Sequence, residues 1–121
     1  MSSLPKHLRP RWRYLALGLE TWPDATVDRR AFQEAVWESA RNLLGDVTSA
    51  RAGLRLLRYE LADGWGQAVV RVRRGEVEAA RAALACVDRI DDQPVGLQVR
   101  GVSGTVRGCE EKFIGERTEP T

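Results

Sequence analysis

The fold is decided by one stretch, Gln67-Ala68-Val69-Val70-Arg71-Val72-Arg73-Arg74-Gly75. On a β-strand, side chains alternate between the two faces of the sheet. One face of this strand carries small apolar side chains, those of Ala68, Val70 and Val72, and is expected to be buried. The other face carries Arg71 and Arg73, about 7 Å apart on an extended chain. The stretch therefore predicts a central strand of an open sheet, with helices under one face and a partly charged face opposite.

Composition describes an ordinary globular chain with an unusual choice of basic residue. Of 121 residues, 43% are hydrophobic and 30% are charged, which is typical of one domain. The net charge is only +2, but Lys6 and Lys112 are the only lysines among 19 basic residues, which leaves 17 arginines. The planar arginine side chain suits phosphates and aromatic rings. No apolar run has the length of a membrane span and the N-terminus lacks an apolar signal core, so we expect a cytoplasmic protein with no membrane partner.

Three segments are predicted along the chain. Residues 1–10 hold prolines, serines and basic groups, and they indicate a basic N-terminal arm of irregular structure. Residues 11–115 are expected to form a single α/β sandwich domain, and residues 116–121 a flexible tail. Cys86 and Cys109 are expected to stay reduced, because two lone cysteines in a chain without a signal segment favour free thiols.

Hydrophobic periodicity predicts the elements of this domain. Asp28 suits the N-cap of the clearest helix, Gly45 suits the position after its end, and Asp63-Gly64 predicts a hairpin turn. Residues 45–53 are interpreted as a polar loop, and residues 105–114 fit either a short helix or an extended piece. The predicted elements are strands over 12–19, 54–61, 67–74 and 95–100, with helices over 28–44 and 76–87.

This order of strand, helix, strand, strand, helix, strand predicts an α+β fold. We expect a ferredoxin-like or RRM-like βαββαβ sandwich, with a four-stranded antiparallel sheet and helices packed on it. The mixed apolar pattern of residues 54–61 suits an edge strand, and the first and third strands are expected to be central.

The face opposite the helices is expected to gather aromatic and basic side chains, namely Trp12, Tyr14, Arg71, Arg73, Gln98 and Arg100. Stacking groups beside phosphate binders are what an RNA-binding sheet uses. Two other interpretations stay open, a solvated face and a face covered by the C-terminal segment. Trp37 also has two interpretations: its ring can cover the edge of the core, or it can anchor a protein partner.

Two other function classes share this topology. A ferredoxin-like small-molecule-binding regulatory domain is the main alternative, although only the tip at Trp65-Gly66 resembles the glycine-rich loops of that class. An acylphosphatase-type enzyme needs a loop that cradles phosphate after the first strand. Here Glu20 and Asp24 in that loop would repel phosphate, and the sole asparagine, Asn42, lies in the predicted helix. No acid, base or metal cluster is evident, so we predict no catalytic residue and no metal ligand.

Two further stretches carry a family resemblance. The first is Lys6-His7-Leu8-Arg9-Pro10-Arg11-Trp12-Arg13-Tyr14-Leu15, a basic lead into a strand with Arg-Tyr-Leu. The second, more specific, is Gly101-Val102-Ser103-Gly104-Thr105-Val106-Arg107-Gly108-Cys109, followed by Glu110 to Ile114. Together, over essentially the whole chain, they resemble the protein component 2 family of archaeal ribonuclease P and its eukaryotic counterpart.

The resemblance implies a non-catalytic protein subunit of ribonuclease P, an endoribonuclease that removes 5′ leaders from precursor tRNA. It implies three partners: ribonuclease P RNA, protein component 3 and, indirectly, precursor tRNA. The chain itself would bind no cofactor, and magnesium would act with the catalytic RNA. The expected RNA-binding residues are Lys6, Arg9, Arg11, Arg13, Tyr14, Arg71, Arg73, Arg100 and Arg107, and the expected partner-binding residue is Trp37.

Overall fold

A computed structural model describes residues 11–114 of the chain. The predicted arm at residues 1–10 and the predicted tail at residues 116–121 lie outside the described residues. The described part contains both helices and antiparallel strands, so the α+β class is confirmed. The elements are β1 (Trp12–Thr21), α1 (Arg29–Ala52), β2 (Arg55–Ala62), β3 (Trp65–Arg73), α2 (Val77–Ala85), β4 (Arg89–Ile90), β5 (Gln93–Ser103) and α3 (Val106–Cys109). A 3₁₀ turn (Arg74–Glu76) precedes α2, and a π-helical turn (Glu110–Ile114) follows α3.

All strand pairs in the sheet are antiparallel, in the order β2-β3-β1-β5-β4. The first strand and the strand of the 67–75 stretch are neighbours inside the sheet, as predicted. The predicted count of four strands is wrong, because Arg89 and Ile90 pair with Pro94 and Gln93 as a fifth, two-residue strand. Asp91 and Asp92 both have positive φ, 50° and 62°, and form the tight turn that the sequence analysis did not predict.

The core lies between one face of the sheet and the two long helices. Leu15, Leu17 and Leu19 of β1 alternate into it and are at most 2% exposed. The inward side chains of β3 are equally buried, as the alternation predicts. The helices supply Phe32 and Val36 from α1, and Ala80, Ala83 and Leu84 from α2. The two small alanines bring α2 close to the sheet.

Helix α1 begins as predicted but ends later. The Asp28 carboxylate accepts a hydrogen bond of 2.8 Å from the backbone N–H of Ala31, which makes it the N-cap. Gly45 leaves the helical conformation (φ 82°, ψ 168°), yet the helix resumes and runs to Ala52. The predicted loop over 45–53 is therefore wrong. Ala52 is fully buried in the core, and Gly53 provides the left-handed cap at φ 61°.

Strand β2 is an edge strand, as predicted. Its mixed apolar pattern has a specific cause, a β-bulge between Leu56 and Arg58 that leaves Leu57 without a partner residue. Leu56 and Tyr59 consequently both pack into the core although three positions separate them. The hairpin turn at Asp63-Gly64 is confirmed, with φ of 53° and 83°.

No helix within residues 11–114 is long and apolar enough to span a membrane.

Candidate nucleic-acid interface

The face of the sheet opposite the core, here called the open face, is organised in cross-strand rows. Residues paired across neighbouring strands point to the same face, so the register places them side by side. The rows run, in order, Trp12 with Arg73; Tyr14 with Arg71 and Ser103; Ala16 with Val69 and Gly101; Gly18 with Gln67 and Gln98; and Glu20 with Trp65 and Gly96.

The C-terminal segment covers the middle row of the open face. Cys109 of α3 is fully buried against Ala16 and Val69, and Tyr14 packs beside them. The Cys109 thiol lies 3.6 Å from the backbone oxygen of Tyr14. Of the two conformations that the sequence left open for residues 105–114, the helical one is found. The open face is therefore divided into two separate halves.

Side chains of the C-terminal motif hold this segment in place. The Thr105 hydroxyl accepts a hydrogen bond of 2.9 Å from the Gly108 N–H and caps α3. Gly108 has no room for a side chain, because a Cβ there would lie 2.6 Å from the Ser103 hydroxyl. Glu110 forms an ion pair of 2.8 Å with Arg58 of β2. Ser103, Thr105 and Gly108 of the 101–109 motif therefore shape the turn that leads into α3.

The first half of the open face, here called the Trp12 end, is aromatic and basic. The Arg71 guanidinium lies 3.8 Å from the centre of the Trp12 ring, and that of Arg73 lies 4.9 Å from it. Both distances suit cation–π interactions. Gly53 approaches the other atoms of this ring so closely that a Cβ would lie 3.1 Å from it. The tryptophan is consequently held by α1's C-terminal end and by two arginines.

Positive charge at the Trp12 end has no carboxylate partner among the described residues. The ion pairs of the described residues are Arg30–Glu34, Arg58–Glu110, Arg81–Glu78 and Arg107–Glu111. Arg71 and Arg73 take part in none of them. The Nε of Arg71 is buried without a hydrogen-bond partner in the described part of the chain. Such a surface favours an anionic ligand.

The structure brings together only part of the predicted RNA-binding set. Tyr14, Arg71 and Arg73 share the Trp12 end, whereas Arg100 lies in the other half of the face. Arg13 follows the alternation of Leu15 and so belongs to the opposite face of β1. Arg107 is exposed on α3 but forms an ion pair of 2.9 Å with Glu111. Exposed Arg11 lies beside the strand, and Lys6 and Arg9 lie outside the described residues.

One basic residue of this surface was missed. Arg55 pairs with Arg71 in the register of β2 and β3, so it extends the second row of the Trp12 end. It is exposed and takes part in no ion pair of the described residues. The bulge at Leu57 obscured the phase of β2 in the sequence, and with it the face on which Arg55 lies.

The second half of the open face is a cleft over Gly18, here called the Gly18 cleft. Its volume is about 220 Å³, and its lining includes Gly18, Glu20, Trp65, Gln98 and Arg100. Arg100 is the extra residue of a β-bulge, because Val99 pairs with Leu17 and Gly101 with Ala16. Its guanidinium lies directly over Gly18, where a Cβ would be 2.6 Å from the Arg100 Nε.

Trp37 lies on the other side of the molecule, beside the core. Its ring nitrogen donates a hydrogen bond of 2.7 Å to the Leu54 oxygen, and 44% of the residue is exposed. Arg29 and Gln33, on the same row of α1, bind the backbone oxygen and N–H of Leu56. This row covers the start of edge strand β2 and leaves part of the tryptophan ring in solvent.

No group of three or more histidine, cysteine, aspartate or glutamate side chains is placed to hold a metal ion within residues 11–114. The fold and the open face together define a class of protein, a small α+β domain that presents arginines and an aromatic ring on one sheet surface. In the RRM fold, aromatic side chains on the sheet surface stack RNA bases.

Comparison with known proteins identifies the family to which the chain belongs. The chain matches the Rpp14/Pop5 family over residues 13–114, and it belongs to that family. It is 60% identical over 115 residues to ribonuclease P protein component 2 of Halorubrum lacusprofundi, an alignment that covers 95% of this chain and 72% of the relative. For the protein of the same name from Methanosarcina mazei, identity is 37%, over 94% of this chain and 93% of the relative. The resemblance found in the sequence is confirmed.

A solved structure agrees with the fold. A chain in the cryo-EM structure of yeast ribonuclease MRP superimposes with a TM-score of 0.57 at 13% sequence identity. The match covers 77% of this chain and 73% of that one. At such low identity, the similarity extends to the fold alone.

The two free cysteines should differ sharply in reactivity. Cys86 is exposed, whereas burial, with a smaller effect of the Glu110 charge, raises the pKa of the Cys109 thiol to about 11. Because the thiolate is the reactive form, a thiol reagent at neutral pH should label Cys86 quickly and Cys109 slowly. In Cys86→Ser the fast phase should disappear, and in Cys109→Ser it should stay. Fast labelling of Cys109 would show that α3 does not lie on the sheet in solution.

Proposed function

We propose that this chain is a non-catalytic protein subunit of ribonuclease P. The observation that carries the proposal is its family membership, with relatives up to 60% identical that are named ribonuclease P protein component 2. In this proposal the chain supports the catalytic RNA while the RNA, with magnesium, removes the 5′ leader of precursor tRNA. Protein component 3 is the proposed protein partner, and the cytoplasm the proposed location.

The proposed contribution of the Trp12 end is to hold RNA phosphates. Arg55, Arg71 and Arg73 supply positive charge that no described carboxylate neutralises. Arginine forms paired hydrogen bonds with phosphate, and the Trp12 ring offers a surface for a base or for the arginines themselves. Arg11, Arg13, Arg107 and, in the arm, Lys6 and Arg9 are proposed as additional contacts around this surface. Tyr14 adds a second aromatic ring.

We also propose that the sheet and its helices have the ferredoxin-like topology. Its support is the order of the four long strands, β2-β3-β1-β5, together with two long helices that pack on the core face. Strand β4 is then an addition at one edge. The alternative of a small-molecule regulatory domain gains no specific support, because Trp65 and Gly66 are the first residues of strand β3 and do not form a glycine-rich loop.

Reconstitution tests the function directly. Ribonuclease P RNA and component 3 should process precursor tRNA faster with this chain than without it, at equal magnesium. The isolated chain, free of RNA, should cleave nothing, because the described residues hold no plausible catalytic or metal cluster. Cleavage by RNA-free protein would contradict the non-catalytic role. An unchanged processing rate on addition of the chain would contradict the role as a subunit.

Charge removal at the Trp12 end should weaken RNA binding and flatten its salt dependence together. Each lost phosphate contact should reduce the slope of log affinity against log salt by about 0.7 to 0.9. We expect this for the double variant Arg71→Gln/Arg73→Gln, with little change in which RNA is preferred. The measurement is a salt titration of RNA binding with component 3 present.

A matched control removes the same charge elsewhere. Arg30 and Arg81 are exposed on helices and already pair with Glu34 and Glu78. The double variant Arg30→Gln/Arg81→Gln should keep the wild-type slope. Equal slopes and affinities for all three proteins would show that the Trp12 end is not the RNA surface.

Trp37 is proposed as an anchor for component 3, because 44% of this aromatic residue is exposed and aromatic side chains are enriched at protein interfaces. Trp37→Ala should weaken capture of component 3 while the domain stays folded. Trp37→Phe keeps a ring but loses the hydrogen bond to Leu54, so it separates contact from stability. If both variants bind component 3 like the wild type, Trp37 is not part of the interface.

A further inference from the structure

The two halves of the open face differ in charge, and the difference indicates two kinds of ligand. The Trp12 end carries three arginines that pair with no described carboxylate. The Gly18 cleft instead contains one guanidinium, from Arg100, and one carboxylate, from Glu20. The amide side chain of Gln98, on β5, also lines it. A phosphate would be repelled by Glu20, whereas a neutral group with both donors and acceptors would find partners for each.

A polar atom below the cleft lacks a partner. Gln67 is the residue opposite Gly18 on β3, so its side chain points to the same face. The residue is only 8% exposed, and its Oε1 is buried without a hydrogen-bond donor in the described part of the chain. Buried polar side-chain atoms in native proteins are usually hydrogen-bonded, so this oxygen is an unpaired acceptor on the strand next to Gly18, although Gln67 is not one of the residues that line the cleft.

The missing side chain at Gly18 leaves room that the Arg100 guanidinium occupies, so Gly18 lets this arginine lie in the wall of the cleft. Gly18 separates Gln67 on β3 from Gln98 on β5, and it contributes no side chain between them. The Arg100 guanidinium lies over the gap, held there by the bulge in β5. The cleft volume of about 220 Å³ is below the range of drug-sized pockets, so one small planar group suits it better than a larger ligand.

We infer that the Gly18 cleft binds the base of one unpaired RNA nucleotide. The planar faces of the base would contact the Arg100 guanidinium and the Trp65 ring, which are both stacking surfaces. Its edge would meet the Gln98 amide and the Glu20 carboxylate, which together offer donors and acceptors. Phosphates of the same strand lie towards the Trp12 end. This inference rests on the proposed function and adds base recognition to it.

A charge-neutral substitution tests the cleft. In Gly18→Ala the new methyl group would lie 2.6 Å from the Arg100 Nε, so the flexible guanidinium must move and the gap is filled. The probes are a hairpin RNA with a single-stranded tail and a fully paired duplex with the same number of phosphates. Wild type, with component 3 present, should prefer the tailed RNA. Gly18→Ala should bind the tailed RNA about tenfold more weakly, with duplex binding unchanged. The salt slope should stay the same, because no charge is removed.

Two further variants make the result unambiguous. Gly75→Ala is the matched control, since a Cβ there meets no atom within 4 Å, and it should bind both RNAs like the wild type. Gln98→Ala alters an exposed side chain, so the fold should survive, and it should change which tail base is preferred. Thermal melting checks that each variant is folded.

The remaining outcomes contradict either base binding by the Gly18 cleft or the proposed function. If the wild type binds both RNAs and Gly18→Ala is indistinguishable from it, or weakens both equally, the cleft does not bind a base although the RNA-subunit function stands. If Gly18→Ala weakens capture of component 3 and leaves RNA affinity unchanged, the cleft is a protein interface and the inference is wrong. If the wild type with component 3 binds neither RNA, the proposed function itself fails, and the inference with it.

Discussion

The pairing of β1 with β3 is the constraint on which the rest of this structure depends. It runs without interruption from Trp12 opposite Arg73 to Glu20 opposite Trp65. Because paired residues share a face, this register assigns the leucines of β1 and Val70 and Val72 of β3 to one core. A slip by one residue would move every one of them into solvent. The same register lines up the aromatic, basic and amide side chains of the open face, so stability and site share one cause.

The C-terminal segment gives the open face its function-relevant shape. Cys109 is buried on Ala16 and Val69, and Glu110 is tied to Arg58 at the sheet edge. An uncovered sheet would offer one continuous surface to RNA, as in the RRM fold. Here the surface is interrupted in the middle, so the proposed phosphate contacts and the inferred base contact lie in separate halves. The glycines of the terminal motif have a steric purpose in this arrangement, since Gly108 lies against Ser103.

Much of this fold was readable because local rules and tertiary packing agree. The capping by Asp28, the turn at Asp63-Gly64 and the inward alternation of β1, β3 and β5 were predicted and are confirmed. The errors fall where a single residue interrupts a regular pattern. Gly45 looks like the end of a helix, but burial of Ala52 makes the chain return to helix after it. Asp91-Asp92 makes a hairpin turn although neither residue is glycine.

By itself, the sequence determined the α+β class, the faces of the central strands and the family, because these follow from alternation and from motifs contiguous in the chain. It also placed Tyr14, Arg71 and Arg73 on one surface. Only the tertiary structure decided that Arg55 joins the Trp12 end and that Arg100 lies over Gly18. Both depend on β-bulges, whose extra residues are set by pairing with a neighbouring strand and leave no reliable local signal. The burial of Cys109 likewise requires residues almost a whole chain length apart to meet, which no local pattern encodes.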